Sequence, residues 1–136
     1  MSALRLYDEV IKAHNSSPYH FEKISAPISF TSNNPACGDR FDFYVTQPEG
    51  KLKLHFHGFG CAVSKASSSV LAQSLEGKTA AEAKEICAQF LTMLNSEIDE
   101  EKLFSKEFKS FAIVKKIPAR FDCAALPWIE LKKYLN

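Results

Sequence analysis

One segment of the sequence alternates strictly between polar and apolar residues, and it restricts the possible folds more than any other. Residues 51–57 read Lys-Leu-Lys-Leu-His-Phe-His. Because successive side chains of a strand point to opposite faces, this pattern predicts a β-strand with one buried face and one wet face. We therefore expect His55 and His57 to be solvated surface residues. Residues 40–46, which are rich in β-formers, predict a second strand, and the turn at 47–50 joins the two.

The segments on either side of these strands carry the spacing of amphipathic helices. Three such helices are predicted at residues 4–14, 62–74 and 123–135. A capping box at residues 79–82 opens a fourth. Pro127 fits the first turn of the closing helix, where no hydrogen-bond donor is lost. With a further strand at 28–31, the order of elements predicts an α+β fold: a small antiparallel sheet of about three strands packed against several helices. We expect a single domain over residues 1–136.

Composition excludes several classes of function. The net charge is +1, so the sequence predicts no binding to nucleic acid. No window approaches about 18 uninterrupted apolar residues, so we expect no membrane span. The first residues lack the basic-then-apolar order of a signal peptide, which favours a cytoplasmic location. In a reducing compartment the four cysteines are better interpreted as thiols or metal ligands than as a disulfide framework.

Three of the four cysteines follow a turn or a strand end, where side chains from distant segments can converge on one metal ion. Cys37 follows an Asn-Pro-Ala turn, and Cys61 lies between Gly60 and a predicted helix start. Cys123 is predicted to precede the closing helix. A helix N-terminus stabilises a thiolate, which is both a soft metal ligand and a nucleophile. With Asp39, two residues after the first cysteine, these thiolates could complete a four-ligand shell.

The alternative is that these cysteines are small buried hydrophobic residues that share no site. Cys37 and Cys61 are 24 residues apart, and Cys61 and Cys123 are 62 residues apart, which matches no zinc-finger pattern. Cys87 differs from the other three because it lies on the apolar stripe of the helix that follows residue 79, so we expect it in the core. Residue chemistry alone leaves both interpretations of the other three cysteines open.

Two motifs contain the first two of these cysteines. The pattern N-P-x-C-G-D occupies residues 34–39, and G-x-G-C-x-x-S-x-A-S occupies residues 58–67. Together with the third cysteine they resemble the IscU/NifU-like family of iron–sulfur assembly proteins over essentially the whole chain. Within that family the sequence is similar to the SufU branch. The interval between the second and third cysteines is long, with an extra helical stretch at about 95–113, and Arg120 lies three residues before the third cysteine.

The resemblance implies a site and an activity. In SufU-like proteins three cysteines and an aspartate bind Zn²⁺, and the matching residues are Cys37, Asp39, Cys61 and Cys123. It implies that Cys37 accepts persulfide sulfur from a SufS-type cysteine desulfurase, a histidine of which displaces Cys37 from zinc. The sulfur then passes to downstream iron–sulfur assembly proteins. In this interpretation the chain is a zinc-dependent sulfurtransferase that acts through a cysteine persulfide. Arg120 is expected near the site, where it orients Asp39 or engages the partner.

Two other functions stay open. A scaffold that builds a [2Fe-2S] cluster and passes it to apo-proteins would use Cys37, Cys61 and Cys123, because thiolates hold such clusters. Two features typical of IscU scaffolds are missing from the sequence, namely the Leu-Pro-Pro-Val-Lys chaperone-docking motif and a histidine directly before the third cysteine, where Asp122 stands. The other possibility is a non-catalytic module in which zinc stabilises the fold and the surface binds a partner.

Overall fold

Five α-helices and three β-strands make up the part of the chain that the structure, a computed structural model, describes: residues 3–95 and 105–135. The helices are α1 (Ala3–Ser16), α2 (Ala62–Leu75), α3 (Ala80–Asn95), α4 (Lys106–Phe111) and α5 (Pro118–Leu135). The strands are β1 (Ile28–Asn34), β2 (Asp39–Thr46) and β3 (Lys53–Phe59). Short 3₁₀ helices cover Pro48–Gly50 and Ala112–Lys116. The predicted α+β class is confirmed. Part of the predicted stretch at 95–113 lies outside the described residues, and α4 lies in the rest of it.

The three strands form one antiparallel sheet in the order β1-β2-β3. Asn34 pairs with Asp39 at the turn between β1 and β2. Arg40 pairs with Phe59, the last residue of β3. The first turn and the exit from β3 therefore lie at the same end of the sheet. This topology brings the two cysteine motifs together, although they are far apart in the sequence.

One face of the sheet packs against helices and forms the core. Helix α2 contacts β3, and α5 contacts both β1 and α2. The buried side chains of this face include Phe41, Phe43, Val45, Leu54 and Phe56. Farther from the sheet, the Trp128 ring stacks on Phe90 with centroids 4.0 Å apart. No helix in residues 3–95 or 105–135 combines the length and apolar character needed to cross a membrane.

The edge of β3 is covered, which corrects the prediction for its histidines. The segment before β1 runs beside this strand, and the Phe56 N–H donates to the His20 carbonyl at 3.1 Å. The His20 ring stacks on His55 at 4.5 Å, so the His55 side chain is only 13% exposed. His57 lies against the Phe21 ring at 4.7 Å and is half-buried. The expectation of solvated histidines was wrong because strand alternation does not reveal what covers the second face of a sheet.

The last helix begins earlier than the sequence pattern predicts. It starts at Pro118, where proline fits the first helical turn. Cys123 therefore lies within α5, and Pro127 lies inside the helix. The predictions that Pro127 belongs to the first turn and that Cys123 precedes the helix were wrong. Because proline has no N–H, it cannot donate to the Cys123 carbonyl four residues earlier. Cys123 is not at a helix N-terminus, so the helix dipole does not account for its chemistry.

Candidate metal centre

Cys37 lies in the turn between β1 and β2. The Cys37 N–H donates to the Asn34 carbonyl at 3.1 Å, and the Gly38 N–H donates to the Pro35 carbonyl at 3.3 Å. Gly38 has a φ of 71°, a left-handed conformation that glycine adopts at little cost. The turn leaves Cys37 half-buried. Its sulfur is therefore held by a short backbone turn and remains partly open to solvent.

Asp39 and Cys61 are joined by hydrogen bonds. Asp39 opens β2 and is buried, and its Oδ1 accepts from the Cys61 N–H at 2.7 Å. The Cys61 thiol lies 3.8 Å from Asp39 Oδ2. Cys61 is also the N-cap of α2, where its sulfur accepts from the Ser64 N–H at 3.4 Å. The prediction that Cys61 stands at a helix start is confirmed. The backbone N–H that donates to its sulfur favours the thiolate form.

Gly60 leaves room for this arrangement. A Cβ atom at Gly60 would lie 2.7 Å from Asp39 Oδ1 and 2.7 Å from Ser64 Oγ. Real Cβ atoms essentially never approach other atoms so closely. Gly60 is therefore required by close packing around the aspartate rather than by an unusual φ angle.

Cys123 reaches the same point from α5. It is almost fully buried, and its Sγ lies 3.3 Å from Cys37 Sγ. The Asn34 side-chain amide donates to Cys123 Sγ at 3.6 Å. Burial, and then hydrogen bonding with Cys37 and Cys61, raises the pKa of the Cys123 thiol well above its ordinary value. A cation bound beside the sulfur would reverse this shift, because coordinated thiols are deprotonated.

Arg120 lies one helical turn before Cys123 and contacts it. A hydrogen bond with Cys123, followed by the field of Cys61, raises the pKa of the Arg120 guanidinium. Its predicted accessory role at the site stays a prediction. Its neighbour is the third cysteine, so a role in orienting Asp39 remains a prediction.

The ligand atoms of Cys37, Asp39 and Cys123 all lie within 4.8 Å of one another. Cys61 is outside that group of three but adjoins it through Asp39. Two thiolates about 2.3 Å from a tetrahedral zinc ion are about 3.8 Å from each other, and a thiolate and a carboxylate oxygen are about 3.5 Å from each other. The 3.3 Å between the Cys37 and Cys123 sulfurs would widen by about 0.5 Å on binding zinc, and the 3.8 Å between Cys61 Sγ and Asp39 Oδ2 would shorten by about 0.3 Å. Both changes require only small side-chain movements. Three thiols and one carboxylate are also a suitable donor set for zinc.

Two polar residues at the site had no predicted role. The Ser64 N–H donates to the sulfur of Cys61, and the Asn34 side chain donates to the sulfur of Cys123. Both belong to the motifs that carry the family resemblance. The sequence contains one further signal for Asn34, since alternation along β1 puts Phe30, Ser32 and Asn34 on the buried face. A buried amide side chain at a strand end is expected to have a specific partner.

Comparisons with known proteins identify the family of the chain. The family model described as "NifU-like N terminal domain" matches residues 6–132. A protein of Streptococcus pyogenes serotype M1 named "Iron-sulfur cluster assembly scaffold protein IscU" is 32% identical over 132 residues, covering 96% of this chain and 83% of that protein. The Bacillus subtilis (strain 168) protein named "Zinc-dependent sulfurtransferase SufU" is 31% identical over 130 residues, covering 94% of this chain and 88% of that protein.

Solved structures share the fold over nearly the whole chain. A candidate iron–sulfur cluster assembly scaffold protein for the SUF system, FiSufU from Fervidobacterium islandicum AW-1, has a TM-score of 0.85 and 31% identity, and the match covers 99% of this chain and 100% of FiSufU. The N-terminal part of a nitrogen-fixing NifU-like protein from Brucella abortus has a TM-score of 0.79 at 22% identity, with 97% and 94% covered. The second likeness concerns the fold alone.

Proposed function

The chain belongs to the NifU-like N terminal domain family, and from this membership we propose that it is a zinc-binding sulfur acceptor. It takes persulfide sulfur from a SufS-type cysteine desulfurase and passes it on to downstream iron–sulfur assembly proteins. The observation that carries the proposal is the convergence of three thiols and one carboxylate at one end of the sheet, with one thiol on a partly open turn.

Cys37 is the best sulfur acceptor among the three thiols. Thiol exchange requires an accessible sulfur. Cys123 is almost fully buried within α5, and Cys61 is tied down as the N-cap of α2. Cys37 is half-buried and lies on a four-residue turn that two short backbone hydrogen bonds shape. A movement of this turn would expose Cys37 without unfolding a helix or a strand.

The transfer step moves one sulfur atom and needs no outside oxidant. The Cys37 thiolate attacks the outer sulfur of the desulfurase persulfide. A new S–S bond forms on Cys37, and the S–S bond of the enzyme persulfide breaks. The desulfurase cysteine leaves as a thiolate, and Cys37 carries the persulfide. The sulfane sulfur keeps its oxidation state, so electrons balance within the two proteins.

The residues at the site fit a zinc ion, which would keep its cysteine ligands deprotonated when bound. Cys61, Asp39 and Cys123 would remain as ligands while Cys37 accepts sulfur. Asp39 is fixed by the Cys61 N–H, and Cys123 is fixed by α5. Asp39 and Cys123 are buried, which limits the access of water to them, and Cys61 is half-buried. The protein therefore supplies one thiol on a surface turn and three partners held by a helix, a helix cap and a hydrogen bond.

A second candidate is a scaffold that holds a [2Fe-2S] cluster. The name of the S. pyogenes relative favours it, and Cys37, Cys61 and Cys123 are the thiolates that such a cluster would use. An aspartate rather than a histidine precedes the third cysteine, and Asp122 is exposed. A third possibility, a zinc-stabilised interaction module without sulfur transfer, predicts the same metal but no reactive Cys37.

One experiment separates these functions. The protein is purified without added metal, its zinc, iron and acid-labile sulfide are measured, and alanine release by a SufS-type desulfurase is followed with cysteine and a thiol reductant. The sulfur-acceptor proposal predicts one zinc ion per chain and faster alanine release. It predicts that Cys37→Ala abolishes the acceleration. Cys87→Ala is the matched control, because Cys87 lies in the core away from the site.

Three other results would contradict the proposal, each for a different reason. Iron with acid-labile sulfide and no acceleration would favour the scaffold. Zinc without acceleration would leave only the structural module. Equal loss of acceleration in Cys37→Ala and Cys87→Ala would contradict the assignment of Cys37, because the effect would then reflect general destabilisation.

A further inference from the structure

The side chain of Asn34 connects the sheet to the most buried cysteine of the site. Asn34 is the last residue of β1 and is only 8% exposed. Its Nδ2 donates to Cys123 Sγ at 3.6 Å, across 89 positions of sequence. The same residue accepts the Cys37 N–H through its backbone carbonyl at 3.1 Å. Asn34 therefore contacts two of the three site cysteines by two different groups.

These two contacts differ in what they hold. The backbone bond shapes the turn of Cys37, and any residue can supply a carbonyl there. The side-chain amide reaches only the sulfur of Cys123, and it requires a donor of this length at this position. An amide donor is neutral, so it can hold a sulfur atom in place without competing with it for a cation. A carboxylate at the same position would face the sulfur with a like charge.

We propose that Asn34 is a positioning residue that holds the Cys123 sulfur as a fixed metal ligand while Cys37 leaves to accept sulfur. This inference rests on the proposed function for the role of Cys37. The hydrogen bond itself is independent of sulfur transfer. Outer hydrogen bonds orient metal ligands, and their loss typically weakens metal binding by about 10- to 100-fold. We expect the loss for Asn34→Ala to be about tenfold, because a single neutral donor is removed.

The test uses metal binding and spectra, without a desulfurase. Wild type, Asn34→Ala, Asn34→Asp and the control Asn33→Ala are compared. Asn33 is the neighbouring asparagine on β1, and its side chain is exposed on the opposite face. Zinc affinity is measured by chelator competition, and Co²⁺ is used as a spectroscopic probe at saturating concentration. The unfolding midpoint of each metal-free variant is measured in parallel.

The expected results are specific to the donor. Asn33→Ala keeps the affinity and spectrum of the wild type. Asn34→Ala loses about tenfold in zinc affinity. Its sulfur-to-cobalt charge-transfer band shifts to longer wavelength, because a thiolate without a hydrogen-bond donor gives up an electron more readily. Asn34→Asp keeps the size of the side chain but removes the amide donor to the Cys123 sulfur, so its charge-transfer band shifts in the same direction as that of Asn34→Ala.

A wild-type spectrum and affinity in Asn34→Ala would overturn the inference, as would equal effects in the Asn33 and Asn34 variants. If Asn34→Ala fails to fold, the near-isosteric Asn34→Asp carries the test, and a wild-type charge-transfer band in that variant overturns the inference as well. Failure of the proposed function is a separate result. It would appear as no acceleration of the desulfurase by the wild type, whatever the spectra of the Asn34 variants.

Discussion

A single buried hydroxyl links the two helices that carry Cys61 and Cys123. Ser67 on α2 is fully buried, and its Oγ accepts from Trp128 Nε1 at 2.9 Å. The same hydroxyl donates to the Ala124 carbonyl at 2.6 Å. Ser67→Ala removes both bonds. The mutation leaves the buried indole N–H of Trp128 without this acceptor, and an unsatisfied buried donor lowers the free energy of unfolding by about 1–3 kcal/mol. Loss of the bond to the Ala124 carbonyl adds less to this destabilisation, because the carbonyl also accepts from a backbone N–H within the helix.

The neighbouring serine provides a matched control. Ser68 is also fully buried on α2, but its hydroxyl donates only to the Ser64 carbonyl one turn earlier, at 2.9 Å. Ser68→Ala leaves no donor on another helix without a partner, and we expect a change within about 0.5 kcal/mol. The free energy of unfolding is measured by urea denaturation at pH 7, with zinc content equalised among the variants. The slope with urea should not change.

A double-mutant cycle completes the test. Trp128→Phe removes the indole N–H, although it also loses part of the stacked contact with Phe90. If the hydrogen bond is responsible, Ser67→Ala should cost much less in the Trp128→Phe background than in the wild type, and the coupling energy should be about 1 kcal/mol or more. The reasoning would be refuted if Ser67→Ala cost no more than Ser68→Ala, or if the two mutations of the cycle were additive.

Three further predictions follow from the site and its surroundings. Gly60→Ala should weaken zinc binding and cost about 1–3 kcal/mol of unfolding free energy, because its Cβ displaces the Asp39 carboxylate; chelator competition and urea denaturation measure the two effects, and unchanged zinc affinity would contradict the packing argument. Burial lowers the pKa of His55 below its ordinary value of 6.5, so the unfolded chain binds more protons than the folded one. The stability contributed by neutral His55 is therefore fully present above pH 6.5 and is lost as the pH falls from there through the lowered folded pKa. Urea midpoints between about pH 7.5 and pH 5 should show this decline, and His55→Phe should flatten it; an equal slope in both proteins would assign it to other groups. Burial also raises the pKa of Cys87 to about 12, so iodoacetamide should not label it in the native protein while Cys37 of the metal-free protein is labelled, as mass spectrometry of the peptides would reveal.

Several elements could be predicted from the sequence because their signals are local. The polar–apolar alternation at 51–57 predicted a strand that the structure gives as Lys53–Phe59. The capping box predicted the start of α3, and Thr79 and Glu82 exchange the expected hydrogen bonds at 3.0 Å and 3.2 Å. Cys61 was expected at a helix start and is the N-cap of α2. In each case the residues that specify the structure lie within about one turn or one strand of each other.

Other features depended on contacts between distant parts of the chain. The burial of His55 comes from the segment at His20, which covers the edge of β3. Cys123 lies within α5 because Pro118, five residues earlier, begins that helix. The apolar spacing of this segment is compatible with a helix start at either residue. The ligand atoms of Cys37, Asp39 and Cys123 lie within 4.8 Å of one another because the turn after β1 meets α5, whereas the roles of the cysteines and Asp39 as metal ligands stay predictions.

Sequence alone restricted which faces are apolar and which residues can bind metal, since side-chain chemistry and short-range periodicity are properties of neighbours in the chain. It assigned the family through two motifs whose glycines and cysteines are close in sequence. Tertiary structure decided which side chains meet. The amide of Asn34 reaches Cys123 only because β1 and α5 pack together, and no local pattern encodes a contact across 89 residues. Helix–sheet packing is the physical step that turns three separate thiols into one site.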